Sequence, residues 1–418
     1  MRILYLCRVF SGLETSLLSG SWRPTGAPTI YKVMERLAAG PHDVRFVLTT
    51  KGVGREFRTA WTARGDRLLA LAGFRRPMTV LAGEHRFPAA LGTLRGPLTT
   101  IRQLGHLAWL ALRFRPELIY ADRGNVLVAA LFARLTGIPV VLRIMGIYPS
   151  MWQTLESTML PDRLYRWAYR SPFALVVCTE DGTPGRSWLD RALSPSVPRA
   201  MLLNGVTVAR RPHDVDRRLA ALPANRTVIL FVGRFETYKG CDVFVAAIRH
   251  LAVTHGNRIH ALMIGTGSRH AAVTACVVAA GQTELFTFID RLPHDQIGEA
   301  HLRSDIYVSM NQLGQLSNAN LEAMLAGACL VMPPSRPRED VDVATDRLVP
   351  TDATVRLPSG DNTAETLAAT LRRLVDDPGE RRRLSAALAT AARDFVRTWD
   401  QRVDDELALI GRTVGRSL

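Results

Sequence analysis

The sequence predicts an α/β protein built from two Rossmann-like domains facing each other across a cleft, with a C-terminal helix crossing back to the first domain. Three observations carry this expectation. Short apolar, strand-like runs alternate with helical patterns from end to end. The chain has 418 residues at 47% apolar content, more than one hydrophobic core usually serves. The periodicity breaks between Asn204 and Arg226, where an Asn-Gly pair, two prolines and several charges read as a linker. The expected division is 1–205, 206–390 and a crossover helix over 391–418.

The strands justify the parallel sheets. In the first half they are expected near Arg2 to Val9, Val44 to Thr50, Glu117 to Ala121, Val140 to Met145, Leu175 to Thr179 and Met201 to Leu203. In the second half they are expected near Thr227 to Val232, Ile259 to Ile264, Phe286 to Ile289, Ile306 to Met310 and Leu330 to Met332. The run Thr227 to Val232 (TVILFV) is apolar on both faces, the mark of a strand covered by helices on both sides. Helical patterns fill most gaps, and Thr390 to Ile410 reads as one long amphipathic helix.

Composition narrows the function. No apolar run approaches the roughly 18 residues of a membrane span. The opening MRILYLCRVF reaches Arg8 too soon for a secretory segment, so a cytoplasmic location is expected. Five scattered cysteines and ten scattered histidines give neither a disulfide framework nor metal-ligand spacing, so no metal is expected. The net charge of +15 is uneven: residues 1–200 carry 27 Lys/Arg against 13 Asp/Glu, whereas residues 201–418 carry 26 against 25. The basic first half is suited to an anionic surface or an anionic small molecule. The segment Leu94 to Pro116 mixes Arg with Leu, Ile and Trp at helical spacing. It reads equally as a helix on an anionic membrane or as a core helix with Arg on its wet side.

The sharpest signal is Val232-Gly233-Arg234-Phe235-Glu236-Thr237-Tyr238-Lys239-Gly240, directly after a predicted strand. Only three of the 53 basic residues are lysine (Lys32, Lys51, Lys239), so a Lys here is an exception to the chain's own habit. A compact ammonium and a planar guanidinium are poor substitutes for one another. Placed at the carboxyl end of a strand, Arg234 and Lys239 point to an anion, most simply a diphosphate. The competing reading is a solvated charged loop. Glu236, His270 and Asp181-Gly182-Thr183 also stand at strand ends, where lone polar residues are usually turn formers.

With these residues in view, the second half resembles the nucleotide-binding domain of GT-B glycosyltransferases, in particular the large family 4 group. GRFETYKG (233–240) is similar to its GR…KG segment, IGTGSRH (264–270) to its glycine-rich turn and NLEAMLAGACLVM (320–332) to its ribose-binding segment. Asn204-Gly205-Val206 is similar to the sequence closing the first domain, and Phe395 to Glu406 to the Trp-containing tail helix. The resemblance implies catalytic roles for Arg234 and Lys239 at the donor diphosphate. It implies donor binding by Gly233, Gly265, Thr266, Gly267, Ser317, Asn318 and Leu321, and a ribose contact by Glu322. It further implies a nucleotide-diphosphate sugar as substrate and a retaining hexosyl transfer needing no cofactor or metal. The first domain would then bind a glycan, lipid-linked or small-molecule acceptor, with peripheral attachment to the inner face of an anionic membrane and no nucleic-acid partner.

Two positions depart from the family pattern. Gly314 stands where a carboxylate is common, eight residues before Glu322, and Met145 stands where a His is common. The amides Asn311, Gln312, Gln315 and Asn318, with Ser317, are the candidates to bind sugar hydroxyls instead, although Ser317 or Asn318 equally suits a helix N-cap. In the first domain Gly26, Lys32, Asp122, Arg123 and Arg143 are weaker candidates for an acceptor site; the competing readings are a plain loop for Gly26 and Lys32 and structural ion pairs for Asp122, Arg123 and Arg143. The alternatives are a nucleotide-sugar 2-epimerase of the same fold, a non-catalytic binder of anionic surfaces or nucleic acid, and a catalytically silent transferase relative.

Overall fold

The computed structural model describes residues 1–50, 61–207, 214–359 and 363–416, so Lys51 lies outside the described residues. The chain forms two compact units. Unit 1 comprises 1–179, 185–202 and 400–418; unit 2 comprises 180–184 and 203–399.

Unit 1 is built on an eight-stranded sheet. Its strands are β1 (Arg2–Arg8), β2 (Asp43–Thr49), β3 (Arg67–Leu69), β4 (Met78–Leu81), β5 (Leu118–Asp122), β6 (Val140–Ile144), β7 (Leu175–Thr179) and β8 (Arg199–Leu202). The order is β3-β4-β2-β1-β5-β6-β7-β8, and only the β3–β4 pair is antiparallel. The short strands β3, at the sheet edge, and β4, beside it, lay outside the expected set; Arg67–Leu69 is exposed at its first two positions and has no run of buried apolar residues to announce it. The central strands are buried throughout, β5, β6 and β7 at every position. That double-sided burial is why they are continuous apolar runs.

Unit 2 carries a six-stranded, all-parallel sheet. Here β10 (Thr227–Val232), β11 (Ile259–Ile264), β12 (Phe286–Ile289), β13 (Ile306–Val308), β14 (Cys329–Met332) and β15 (Val355–Arg356) run in the order β12-β11-β10-β13-β14-β15. Its topology fixes one special place. From β10 the chain winds outward through β11 to β12, then returns to lay β13 on the other side of β10. The loops after β10 and β13 therefore diverge, and such a switch point is where open α/β sheets hold ligands. Unit 1 has its own switch point, between β1 and β5.

The tail expected as one helix is two. Helix Pro378–Phe395 stops at Val396, and a two-residue strand, β16 (Arg397–Thr398), pairs with β9 (Gly205–Val206) before helix Trp399–Val414 begins. Gly205 allows this join, since a Cβ there would lie 2.7 Å from the Trp399 Cα. The last helix returns to unit 1, where Val403, Leu407 and Ile410 enter the same core as Ile3, Tyr5, Met34 and Phe46. Helix Arg95–Phe114 buries a narrow stripe, Thr99, Gln103, Leu107 and Ala111, and leaves Ile101, Trp109 and Leu112 exposed. Among the described residues no helix is long and apolar enough to cross a membrane.

Candidate functional site

Arg234 and Lys239 sit on the loop that leaves β10. Gly233 N–H extends the ladder to Ile264 C=O (3.0 Å) and Phe235 N–H reaches Thr266 C=O (2.9 Å), so two loops at neighbouring strand ends are laced together. The glycines of the turn after β11 make this possible. A Cβ on Gly265 would stand 1.9 Å from the Gly233 carbonyl oxygen, and one on Gly267 would stand 2.4 Å from that of Phe235. Their missing side chains therefore admit the neighbouring loop. Gly265 N–H is itself bonded to Ile289 C=O at 2.9 Å, which takes it out of the set offered to a ligand.

The aromatic ring of Phe235 is fully buried and anchors the loop, leaving its neighbours free to project. The Arg234 side chain is 71% exposed and donates to Glu236 Oε1 at 3.1 Å. Glu236 also accepts from Ser268 Oγ (2.5 Å) and Ser268 N–H (3.3 Å); these bonds, the hydroxyl's above all, hold its carboxyl below the ordinary range. Lys239 closes the 3₁₀ turn Thr237–Lys239, and its ammonium lies 5.4 Å from the Tyr238 ring centroid. Burial pushes the Lys239 pKa down, while attraction to Asp181 opposes this. Arg234 repels it. The two cations share one loop, which stands beside the β10/β13 switch point.

The loop after β13 faces them. Gln312 N–H donates to Tyr238 C=O at 2.9 Å, joining that loop to the Lys239 turn. The amides expected to read sugar hydroxyls are mostly committed elsewhere. Asn311 Nδ2 donates to Gly314 C=O (2.6 Å). Gln315 is 1% exposed and accepts from Ser309 Oγ (2.7 Å) and Asn320 Nδ2 (2.9 Å). These amides satisfy a buried loop backbone, which would otherwise cost about 1–3 kcal/mol per orphaned group. Gln312 is exposed.

Helix Asn318–Leu325 follows. Ser317 is its N-cap, accepting from Asn320 N–H at 3.5 Å, and the Asn318 side chain accepts from Asn204 Nδ2 at 2.5 Å. Leu321 turns its side chain into the core, so any contact from it to a ligand is by backbone. Glu322, half-buried on the first turns of that helix, raises the pKa of the Tyr307 hydroxyl together with burial, burial being the larger cause. The sequence reading overlooked Asp342. It accepts from Gln315 N–H (2.8 Å) and Arg356 (2.5 Å) and from the Thr345 hydroxyl, and so holds the loop after β13 in place. Its signal was weak: an acidic residue between two loops, with its Arg partner 14 residues away.

In unit 1 the candidates divide. Gly26 adopts φ 89° on an exposed loop, and Lys32 forms an i,i+3 ion pair with Glu35 at 3.1 Å. Burial pushes the Tyr169 hydroxyl pKa up, and the nearby Arg123 guanidinium opposes it. Asp122 is buried at the end of β5, accepting from Asn125 Nδ2 at 2.7 Å; burial pushes its carboxyl up and Arg8 pulls it down. Arg143, expected beside a cleft, is instead wholly inside. It donates to Thr179 Oγ1 (2.8 Å) and Val177 C=O (3.1 Å) and lies 3.7 Å from Glu406. Glu406 also accepts from Tyr120 Oη (2.6 Å) and ion-pairs with Arg402 (2.8 Å). Arg143 is therefore a core residue that fastens the returning C-terminal helix.

Two parallel-sheet units, with a glycine-laced cation loop at the second sheet's switch point, define the GT-B class of fold. Residues 213–390 match the description "Glycosyl transferases group 1" and residues 25–183 match "Glycosyl transferase 4-like domain". The chain belongs to the group 1 family of glycosyltransferases and is a transferase enzyme. It is 29% identical over 265 residues to the 2-deoxystreptamine glucosyltransferase of Streptomyces kanamyceticus, a match spanning 57% of this chain and 67% of that one. It is also 29% identical over 267 residues to the 2-deoxystreptamine N-acetyl-D-glucosaminyltransferase of Streptomyces fradiae, spanning 57% of this chain and 62% of that relative. Among solved structures, HepE of Anabaena in complex with UDP superposes with a TM-score of 0.65 at 16% identity, covering 99% of this chain and all of that one.

Proposed function

We propose that this glycosyltransferase moves a hexose, with retention of anomeric configuration, from a nucleotide-diphosphate sugar to a hydroxyl of a small polyhydroxylated acceptor. The observation that carries the donor half is the pairing of Arg234 and Lys239 at the β10/β13 switch point. Departure of a nucleoside diphosphate leaves negative charge on the β-phosphate. Fixed cations beside that oxygen stabilise the transition state more than the ground state, because the charge is larger there. They supply the positive charge that a divalent metal would otherwise bring, which supports metal-independent transfer. Glu322, a carboxylate on the adjoining helix, suits the two ribose hydroxyls, each of which it can accept. Its task is to orient the donor.

Support for a small acceptor comes from the two Streptomyces relatives, whose names place 2-deoxystreptamine as their substrate. Support for a uridine donor comes from the UDP held by the Anabaena protein. A second acceptor reading, a lipid-linked glycan at an anionic membrane, rests on helix Arg95–Phe114, where exposed Ile101, Trp109 and Leu112 accompany Arg113 stacked 4.7 Å over Trp109. Incubating the protein with UDP-, GDP-, ADP- and dTDP-hexoses and a panel of aminocyclitols, while following nucleoside diphosphate release, tests the proposal. Acceptor-dependent release from one donor is expected. Donor binding without release to any hydroxyl acceptor would overturn it, and release only with vesicle-borne acceptors would select the lipid-linked reading.

A further inference from the structure

The segment Glu180–Pro184 directly follows β7 yet packs into unit 2. Its backbone is bonded into the loops around the switch point: Leu316 N–H donates to Asp181 C=O at 3.1 Å and Asp342 N–H to Gly182 C=O at 2.7 Å. At this junction two glycines meet. A Cβ on Gly314 would stand 2.3 Å from the Gly182 carbonyl carbon and 2.6 Å from the Asp181 carbonyl oxygen. One on Gly182 would stand 2.7 Å from both Gln315 N and Asp342 Oδ1. All of these are closer than real Cβ contacts, and apart from Asp342 Oδ1 the obstructing atoms belong to the backbone. Position 314 thus has no room for any side chain, and the backbone of residues 181–182 fills the space.

The same junction delivers a carboxylate. Asp181 Oδ1 accepts from Thr183 N–H (3.1 Å) and Thr183 Oγ1 (2.6 Å), an Asx turn that fixes the side chain's direction. The carboxylate is close enough to Lys239 for each to shift the other's titration. Three loops therefore converge on one spot: the Lys239 turn, the 312–316 loop bonded to it, and the inserted 180–184 segment. With Oδ1 engaged by Thr183, a carboxylate's roughly four lone-pair sites leave capacity for a further donor.

We propose that Asp181 is a substrate-reading residue of this enzyme, accepting a hydrogen bond from a hexose hydroxyl of the nucleotide sugar whose diphosphate is clamped by Arg234 and Lys239. The proposal rests on the donor reading given above. A buried site built to accept a hydroxyl discriminates strongly against the analogue that lacks it, because its own polar group is then left unpaired.

The test compares Asp181→Asn with the wild type, using the nucleoside diphosphate that binds best among UDP, GDP, ADP and dTDP, its hexose conjugate, and the monodeoxy versions of that conjugate. Asn keeps an oxygen for Thr183, so the turn should fold. The variant is expected to bind the free nucleoside diphosphate within about twofold of wild type and to lose about tenfold or more in kcat/KM with the intact donor. It should also lose the preference for the parent sugar over one particular monodeoxy analogue. An unchanged preference at every hydroxyl would overturn the proposal, as would an equal loss of affinity for the nucleoside diphosphate alone, which would mean that Asp181 acts only on Lys239. Failure of the underlying reading looks different: Lys239→Ala would then leave nucleoside diphosphate binding unaltered.

Discussion

At the switch point of the first sheet, between β1 and β5, the cation Arg8 is answered by Asp122, a buried carboxylate, and donates to Gly124 C=O at 2.7 Å. At the switch point of the second, between β10 and β13, the cation Arg234 is mostly exposed and Lys239 is only partly compensated by Asp181. The topologies are alike and the electrostatics are not. One strand-end arginine in unit 1 is spent further still on structure: Arg143 lies in a closed cluster with Glu406, Arg402 and Tyr120. An Arg at a strand end is therefore informative only together with its burial and its partners. Buried and bonded on several sides, as Arg143 is, it holds the fold; left exposed, as Arg234 is, it is available to an anion.

The strongest way to break this contrast is to remove a partner from the closed cluster. Arg143→Ala leaves the Glu406 carboxylate buried beside Arg402 alone, and removing one member of a buried ion pair costs about 3–5 kcal/mol. Thermal and denaturant unfolding should show that loss, while turnover per folded molecule stays within about twofold. A large fall in turnover with unchanged stability would place Arg143 in the chemistry after all. The same cluster predicts an acid limb. The Arg143 and Arg402 charges and the bonds from Tyr120 and Arg402 hold the Glu406 carboxyl below its ordinary range despite burial. Its contribution is therefore complete above the unfolded value of about 4.3 and is lost as pH falls through the lower folded value. Glu406→Gln should flatten that limb.

At the second switch point the corresponding experiment acts on turnover. Arg234→Ala and Lys239→Ala should each lower kcat/KM with the nucleotide sugar by roughly 10²–10³-fold, the range found when one donor to a developing oxyanion is removed. Unfolding midpoints should barely move, because the Arg234 side chain is exposed and Lys239 leaves a shallow gap. Full activity in either variant would sink the assignment of the diphosphate to this loop.

Much of this was legible in the sequence. Thr227 to Val232 announced a buried parallel strand and its exit loop announced two cations, since only short-range pattern was needed. For Arg143 the ion-pair reading agrees with the structure, but its partner Glu406 was not legible, because it is remote in sequence and no local signal says that a tail helix will bring a carboxylate back. Asn311 and Gln315 show a similar limit: an amide suits a sugar hydroxyl and a buried backbone carbonyl equally, and only the folded loop shows that these two meet Gly314 C=O and Asn311 C=O. The Thr390–Ile410 helix was overextended because β16 is two residues long, below what periodicity detects.

A smaller effect separates Lys239 from an ordinary surface lysine. Burial lowers its pKa, so the charged form that attracts a diphosphate is lost at a lower pH than the usual value of about 10.4. Donor KM should therefore rise as pH climbs through that lowered value, and Lys239→Arg, whose charge persists, should remove the alkaline rise even if it lowers kcat. A donor KM that is flat in wild type up to pH ~10.4 would show that the ammonium is not a determinant of binding.

The finest distinction concerns Glu236, which in the structure holds Arg234 by a 3.1 Å ion pair. If Arg234 is the available cation, Glu236 competes with the incoming phosphate for it, and Glu236→Gln should tighten the binding of inorganic pyrophosphate. A surface pair of this kind, with its arginine largely exposed, is worth about 0.2–1 kcal/mol, so the gain is no more than about fivefold. Gln retains an oxygen to accept from Ser268, which keeps the turn after β11 in place. The gain should shrink as salt is added, because screening weakens the competitor that the substitution removes. Titration calorimetry at low and high ionic strength reads both effects. Weaker pyrophosphate binding in the variant would mean that the carboxylate aims the guanidinium instead of occupying it, and the second switch point would then resemble the first more closely than its exposed charge suggests.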